Sequence, residues 1–261
     1  MNKLLLQLSG GDWSNRMAAD NHKQGWNAED YARNSSAQLK WAKELIAKLC
    51  LKGNESLLDI GCGDGKVTAL LASITAGRVT GIDSSSSMIS AAGRKFPSSD
   101  YGNLSFVQMD AADMRLGEKF DIAFSNAALH WVQDHVAVLS GVRECLKSGA
   151  KLLFQMGGRG NASEMFGVLT EVEERPRWQT YFEDFTAPYH FYGPREYRAW
   201  LPKCGFALTR AQLIPKDMRH QSTEELTGWL RTTAFPYTDR LPAGLRDSFL
   251  DEVVETYTKA H

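Results

Sequence analysis

The residues with the most chemistry in their spacing are Leu57 to Gly65, which read Leu-Leu-Asp-Ile-Gly-Cys-Gly-Asp-Gly. An apolar run holds Asp59, glycines alternate at Gly61, Gly63 and Gly65, and a helical pattern (Val67, Leu70, Leu71, Ile74) follows at once. Alternating glycines let the chain bend sharply and leave no side chain between backbone and ligand. The amides opening the next helix then face that ligand, with the positive end of the helix dipole behind them. A dinucleotide loop needs Gly-x-Gly-x-x-Gly, which would put its last glycine at 66, where this chain has Lys66. The loop therefore suits a smaller, zwitterionic nucleoside better than a pyrophosphate.

Elements of alternating type must position this loop. Apolar runs at Leu57–Ile60, Arg78–Ile82, Leu104–Val107, Phe120–Phe124 and Lys151–Gln155 predict five strands. Helical patterns lie between them near 66–75, 85–96 and 134–147, the last closing at Gly149. A further helix is expected over 37–51. Strands alternating with helices imply a parallel sheet with right-handed crossovers, a doubly wound Rossmann-like α/β core over about 53–156. Beyond Gln155 come a glycine-rich turn (Gly157, Gly158, Gly160), a helix near 162–174 and an aromatic stretch over 178–200. A sixth strand is expected at 206–214, then helices near 222–233 and 243–259. The aromatic stretch reads either as a lid over a ligand or as an accessory core.

The chain has 261 residues, enough for one domain with insertions, divided here into an N-terminal helical lid (1–52), the core (53–156) and a helical and aromatic remainder (157–261). Lysine and arginine number 30 against 31 acidic residues, so no general attraction to nucleic acid or acidic lipid is expected. Cys50, Cys62, Cys145 and Cys204 are too scattered to ligate a metal and read as free thiols of a cytoplasmic protein. The cluster Leu4, Leu5, Leu6 and Leu8 is too short for a membrane span or a signal-peptide core.

Over about 53–156 the chain resembles the class I S-adenosylmethionine-dependent methyltransferases. That resemblance implies S-adenosyl-L-methionine as cofactor and S-adenosyl-L-homocysteine as product, and it assigns partners to each part of the ligand. Asp59 would accept from the ammonium group, and Gly61, Cys62, Gly63 and Gly65 would pass along the methionyl chain. Asp83 and Ser84, at the end of the second strand, would take the ribose hydroxyls, and Met88 would lie on the adenine face. Asp110 and Ala111 would meet the adenine amino group, and Asn126 and Ala127 would sit near the methionyl carbons and the sulfonium. Such enzymes finish with a seventh, antiparallel strand beside the fifth. Here the chain reaches His261 directly after a helix with no candidate for that strand, so either the chain is shortened or the sheet edge is rebuilt, and the backbone groups that an unfilled slot would expose favour a shortened chain.

Three further features are similar to the trans-aconitate 2-methyltransferase group. Trp26-Asn27-Ala28-Glu29-Asp30-Tyr31, followed by Ser35 and Gln38, matches a segment that folds over the cofactor, which adds Tyr31 and Gln38 to the cofactor set. Ser125 to His135 matches an Asn-Ala-x-Leu-x-Trp-x-x-Asp-His run, and Trp229 with Thr232 and Thr233 falls in a substrate-side helix. His130 and Trp131 are the candidate catalytic residues, and His135, Tyr192, Arg195, Trp229 and Arg231 the candidate substrate contacts. Transfer to a carboxylate needs no base, whereas a hydroxyl or carbon acceptor does. The expected function is methylation of a small molecule, a carboxylic acid in the first instance, by a monomer or weak homodimer. The alternatives are a carrier-bound thioester or lipid-like acceptor, and a catalytically silent S-adenosylmethionine-binding protein.

Overall fold

The computed structural model describes residues 2–10 and 36–261. Tyr31, Ser35 and the Trp26–Tyr31 segment lie outside the described residues.

Five short apolar runs form the expected parallel strands, β2 (Leu57–Ile60), β3 (Val79–Asp83), β4 (Leu104–Gln108), β5 (Phe120–Asn126) and β6 (Leu146–Gly157). All four residues of β2 are buried, as a central strand covered on both faces requires. Helices α1 (Ser36–Ile46) and α2 (Lys66–Ala72) follow the predicted patterns, as do α3 (Ser86–Lys95) and α4 (His135–Cys145). Leu45, Leu49, Leu57, Leu71 and Val79 pack on one face of the sheet. Leu58, Ile60, Val138, Val142 and Leu201 pack on the other, so the sheet is doubly wound.

The strand order is β4-β3-β2-β5-β6-β1-β7. Here β1 spans Asn2–Gly10 and β7 spans Phe206–Pro215, the expected sixth strand. Among the described residues no strand follows β7, yet the slot beside β6 is filled, as a rebuilt sheet edge implies. β1 fills it, antiparallel to both neighbours, with Leu5 opposite Gln155 on one side and Gln212 on the other. Residues 2–10, assigned from the sequence to a helical lid, are therefore sheet. The physical reason is that a strand slot beside a central strand offers two rows of unpaired backbone groups, and any adjacent extended segment of the same chain can satisfy both.

Gly149 does not close α4, which ends at Cys145. It sits at φ +73 inside a bulge of β6, where the pairing jumps from Phe120 opposite Leu146 to Ile122 opposite Lys151.

After β6 come α5 (Ser163–Glu173), α6 (Pro194–Lys203), α7 (Thr223–Thr233), α8 (Phe235–Thr238) and α9 (Ala243–Ala260). Met165, Leu169, Trp178, Leu230 and Phe249 form a second apolar core among α5, α7, α8 and α9, apart from the sheet. Trp178 is fully buried there, and its indole N–H donates to Glu252 at 2.8 Å. The aromatic stretch thus splits. Trp178 and Phe182 belong to this accessory core with Tyr181, Phe185 and Tyr189 packed against it, Tyr197 packs on the sheet core with Tyr192 and Trp200 against it, and Phe191 stacks on Tyr189 and His130. No helix among the described residues is long and apolar enough to cross a membrane.

Candidate active site

The loop from β2 to α2 carries φ values of +74, +53 and +79 at Gly61, Gly63 and Gly65, a backbone that favours glycine over residues with a Cβ. Two of the three glycines also make room for protein. A Cβ at Gly61 would lie 2.1 Å from the Cβ of Ala128, and one at Gly65 would lie 2.7 Å from the Phe106 ring. Gly63 instead donates its N–H to Asp83 Oδ2 at 3.0 Å, while Ser85 N–H donates to Oδ1 at 2.9 Å. One carboxylate thus pins the loop to the end of β3. Each oxygen keeps acceptor capacity beyond these bonds, which suits a diol. Burial raises the pKa of Asp83 against the pull of the two amides.

Asp59 is buried beneath the loop and accepts from the Thr68 hydroxyl at 2.8 Å. Burial first, and the nearby Asp83 carboxylate in addition, raise its pKa to about 7. A carboxylate so poorly solvated is stabilised by any cation brought to it, and an ammonium group is such a cation. Cys62 is buried against the bare backbone of Gly81, and burial pushes its thiol well above the ordinary range, so it stays neutral. Asp64 pairs with Lys66 at 3.2 Å and Lys95 at 3.1 Å, which explains the lysine in place of a further glycine.

At the end of β3, Ser84 is exposed and its carbonyl accepts from Gln108. Met88 is buried in the first turn of α3, capped by Ser85. Asp110, beyond the end of β4, is exposed and accepts from Ala112 N–H at 2.8 Å, with Ala111 half-buried in that turn. Met109 N–H donates to the Asp83 carbonyl at 2.9 Å, so the Asp83 and Asp110 turns are neighbours.

The far wall is the end of β5. Asn126 donates from Nδ2 to the Gln38 carbonyl at 3.1 Å and accepts at Oδ1 from Gln155 Nε2 at 2.9 Å, tying α1, β5 and β6 together. The Gln38 side-chain oxygen is buried with no hydrogen-bond partner among the described residues. Ala127 holds φ +58, unusual for a residue with a Cβ, and its N–H donates to the Gln155 carbonyl at 2.7 Å. That kink carries Ala128 onto Gly61. Thr68, Ala128 and Gln155 are site residues that the sequence did not reveal. A small side chain facing a glycine and a polar residue within an apolar strand leave little signal in a single chain.

Beyond the kink, Leu129–Trp131 form a short 3-10 turn. The Gly157 N–H donates to His130 Nδ1 at 3.3 Å, and His130 stacks on Phe191 at 5.9 Å. Trp131 packs between Tyr189 at 4.8 Å and Phe235 at 5.3 Å. His135 lies elsewhere. It is buried, with Nε2 on the Leu129 carbonyl at 2.8 Å and Nδ1 on the Tyr197 hydroxyl at 2.5 Å, and burial lowers its pKa to about 4. Tyr192 stands edge-on to it at 4.7 Å and donates to the Gln133 carbonyl. Trp229 is buried in α7 next to His220, while Arg195 and Arg231 are exposed on α6 and α7. The five expected substrate contacts are thus spread over the sheet core, the accessory core and the surface.

The arrangement is a cleft at the carboxyl ends of β2 to β5, where open α/β sheets bind ligands. A buried carboxylate short of a cation and a carboxylate with spare acceptor capacity fit S-adenosylmethionine.

A family model described as a methyltransferase domain matches residues 58–154. An uncharacterized methyltransferase of Schizosaccharomyces pombe is 32% identical over 83% of this chain and 83% of its own. A trans-aconitate 2-methyltransferase of Acidovorax is 27% identical over 90% of this chain and 91% of its own. Among solved structures, the YcgJ protein of Bacillus subtilis superimposes with a TM-score of 0.54 at 17% identity, covering 80% of this chain and 88% of that one, a likeness of fold. Glycine loop, strand-end carboxylates and relatives converge, and the chain belongs to the class I S-adenosylmethionine-dependent methyltransferases.

Proposed function

We propose that the enzyme transfers the methyl group to the carboxylate of a small organic acid, giving a methyl ester. The observation that supports this is the hydrogen bond from Gly157 N–H to His130 Nδ1. A ring nitrogen that accepts carries no proton, so the neutral imidazole holds its proton on Nε2. In that form His130 is a hydrogen-bond donor rather than a base. A donor orients a carboxylate, which is nucleophilic without losing a proton, whereas a hydroxyl acceptor would ask for a base.

S-adenosylmethionine, when bound, supplies an electrophilic methyl group on its sulfonium. In this reading Asp59 holds the ammonium end, Asp83 the ribose and the turn at Asp110 the base, with Gln38 and Asn126 closing the side toward α1. His130 holds one oxygen of the acceptor so that the other lies in line, which is catalysis by positioning. The aromatic rings behind it exclude water. Residues 157–261 form the acceptor side.

The test is transfer of radiolabel from S-adenosylmethionine to a panel of acids, followed by mild alkaline hydrolysis. Label in alkali-labile esters is expected, with His130→Ala lowering kcat/KM about 10- to 100-fold. Label confined to alkali-stable ethers or amines would exclude the ester reading.

A further inference from the structure

We infer that the acceptor carries its carboxylate on a flat or extended apolar body, which lies along a strip of aromatic rings beginning at His130. This deepens the ester-forming reading and rests on it. The strip is built from distant parts of the chain. Phe191 stacks on His130 with planes 30° apart, and Tyr189 stacks on Phe191 at 5.8 Å with planes 6° apart. Phe166 of α5 packs against both Tyr189 and Phe191, at 4.8 and 5.4 Å, and Trp131 closes the near end against Tyr189.

Three observations point to a ligand surface rather than an ordinary core. First, each of the five residues keeps partial exposure although Phe166 and Tyr189 also pack against the accessory core, whereas Trp178, Tyr197 and Phe249 are fully buried. Second, the strip is continuous with the cofactor cleft. Ala128, packed on Gly61 of the loop, lies two residues before His130, and Gly157 lets the Phe191 ring come so close that a Cβ would lie 2.8 Å from it. Third, the one hydroxyl in the strip is spent elsewhere, because Tyr189 donates to the Thr233 carbonyl. Beyond it the strip presents mainly ring face and edge, with the Asn161 side-chain amide beside Phe191 at Gly157, which favours apolar and aromatic bodies.

The polar groups at the strip suit one carboxylate. His130 is the donor of the proposed reading, the Asn161 amide beside Gly157 adds no charge, and Arg159, which follows the β6 turn, is paired with Glu196. Arg240 is bound to the carbonyls of Tyr181 and Glu183. A second or third carboxylate on the acceptor would be desolvated against rings with no compensating charge from these residues.

The experiment measures kcat/KM of the full chain with trans-cinnamate, dodecanoate, cinnamyl alcohol and trans-aconitate, using labelled S-adenosylmethionine. At least tenfold preference for one of the two apolar acids over trans-aconitate is expected. Equal or better use of trans-aconitate overturns the inference while leaving ester formation intact. Labelling of cinnamyl alcohol in place of the acids keeps the apolar body but removes the ester reading. No label in any arm, with S-adenosylhomocysteine still bound in calorimetry, overturns the inference. Phe166→Leu should raise KM for the preferred acid at least fivefold while kcat and KM for S-adenosylmethionine stay within twofold. A lower melting temperature with unchanged acceptor KM would show the strip to be packing alone.

Discussion

The cofactor side and the aromatic side of the cleft are held by different physics. On the cofactor side the main chain sets the geometry, with three left-handed glycines between β2 and α2, an amide held by Asp83 of β3 and a buried Asp59 beneath. On the aromatic side, rings from residues 130, 131, 166, 189 and 191 meet although their segments lie far apart in sequence. Backbone geometry tolerates little change, and ring surfaces tolerate much. A site that must hold one invariant donor is built the first way, and a site that must fit a particular acceptor the second.

The harshest way to break the contrast is to disturb the strand on which both sides depend. Leu5→Pro removes an N–H from β1, paired on both flanks, opposite the Gln155 that ties down Asn126. A loss of about 3 kcal/mol, or roughly 6–12 °C in melting temperature, is expected, with cofactor binding and transfer falling together. Calorimetric melting at an unchanged temperature would mean that β1 does not hold the sheet.

Gly61→Ala should act on the cofactor side alone. The added Cβ meets Ala128 at 2.1 Å on a backbone at φ +74, costing about 2–4 kcal/mol in stability or cofactor affinity. Ala128→Gly in the same chain should recover the packing part but not the backbone part, a coupling that a double-mutant cycle reads directly.

Asp83→Ala removes a charged partner of the Gly63 and Ser85 amides and should weaken S-adenosylhomocysteine binding by about 1.5–3 kcal/mol, roughly 10- to 150-fold. The KM of the acceptor should not move. If it does, the two sides are not separable.

Asp59 gives a gentler, pH-resolved test. Its folded pKa of about 7 lies above its ordinary value of 3.8, so the folded cofactor-free protein holds the proton more tightly than the unfolded chain. The stability this contributes is complete below 3.8 and lost as pH rises through about 7. The melting temperature of the free protein should therefore fall between about pH 4 and 7 and level off above, and Asp59→Asn should flatten that slope. An ammonium-bearing ligand favours the ionised carboxylate, so affinity for S-adenosylhomocysteine should climb at most about tenfold per unit up to pH 7 and then level off. Trp131→Leu should give the smallest effect, a loss of about 0.5–1.5 kcal/mol per ring contact seen only in the acceptor KM.

Much of the cofactor side was legible because its signals are local. Period and glycine spacing located β2 to β6, and Asp59, Asp83 and Asp110 fall at strand ends where short segments must turn toward the ligand. The acceptor side was not. Aromatic residues over 178–200 form one cluster in sequence, yet in space Trp178 enters the accessory core, Phe191 the cleft and Tyr197 the sheet. His135 is likewise spoken for by Leu129 and Tyr197, which no spacing announces.

The sequence by itself determined the doubly wound sheet, the bend at Gly61–Gly65 and a nucleoside-sized cradle, because local sterics and hydrophobic period act within a few residues. Only the tertiary structure decided that Asn2–Gly10 completes the sheet, that Ala128 and Gly61 interlock, and that the Gly157 N–H meets His130 Nδ1. Each of those depends on which groups meet across long stretches of chain, where burial and unpaired backbone, not neighbouring residues, choose the partner.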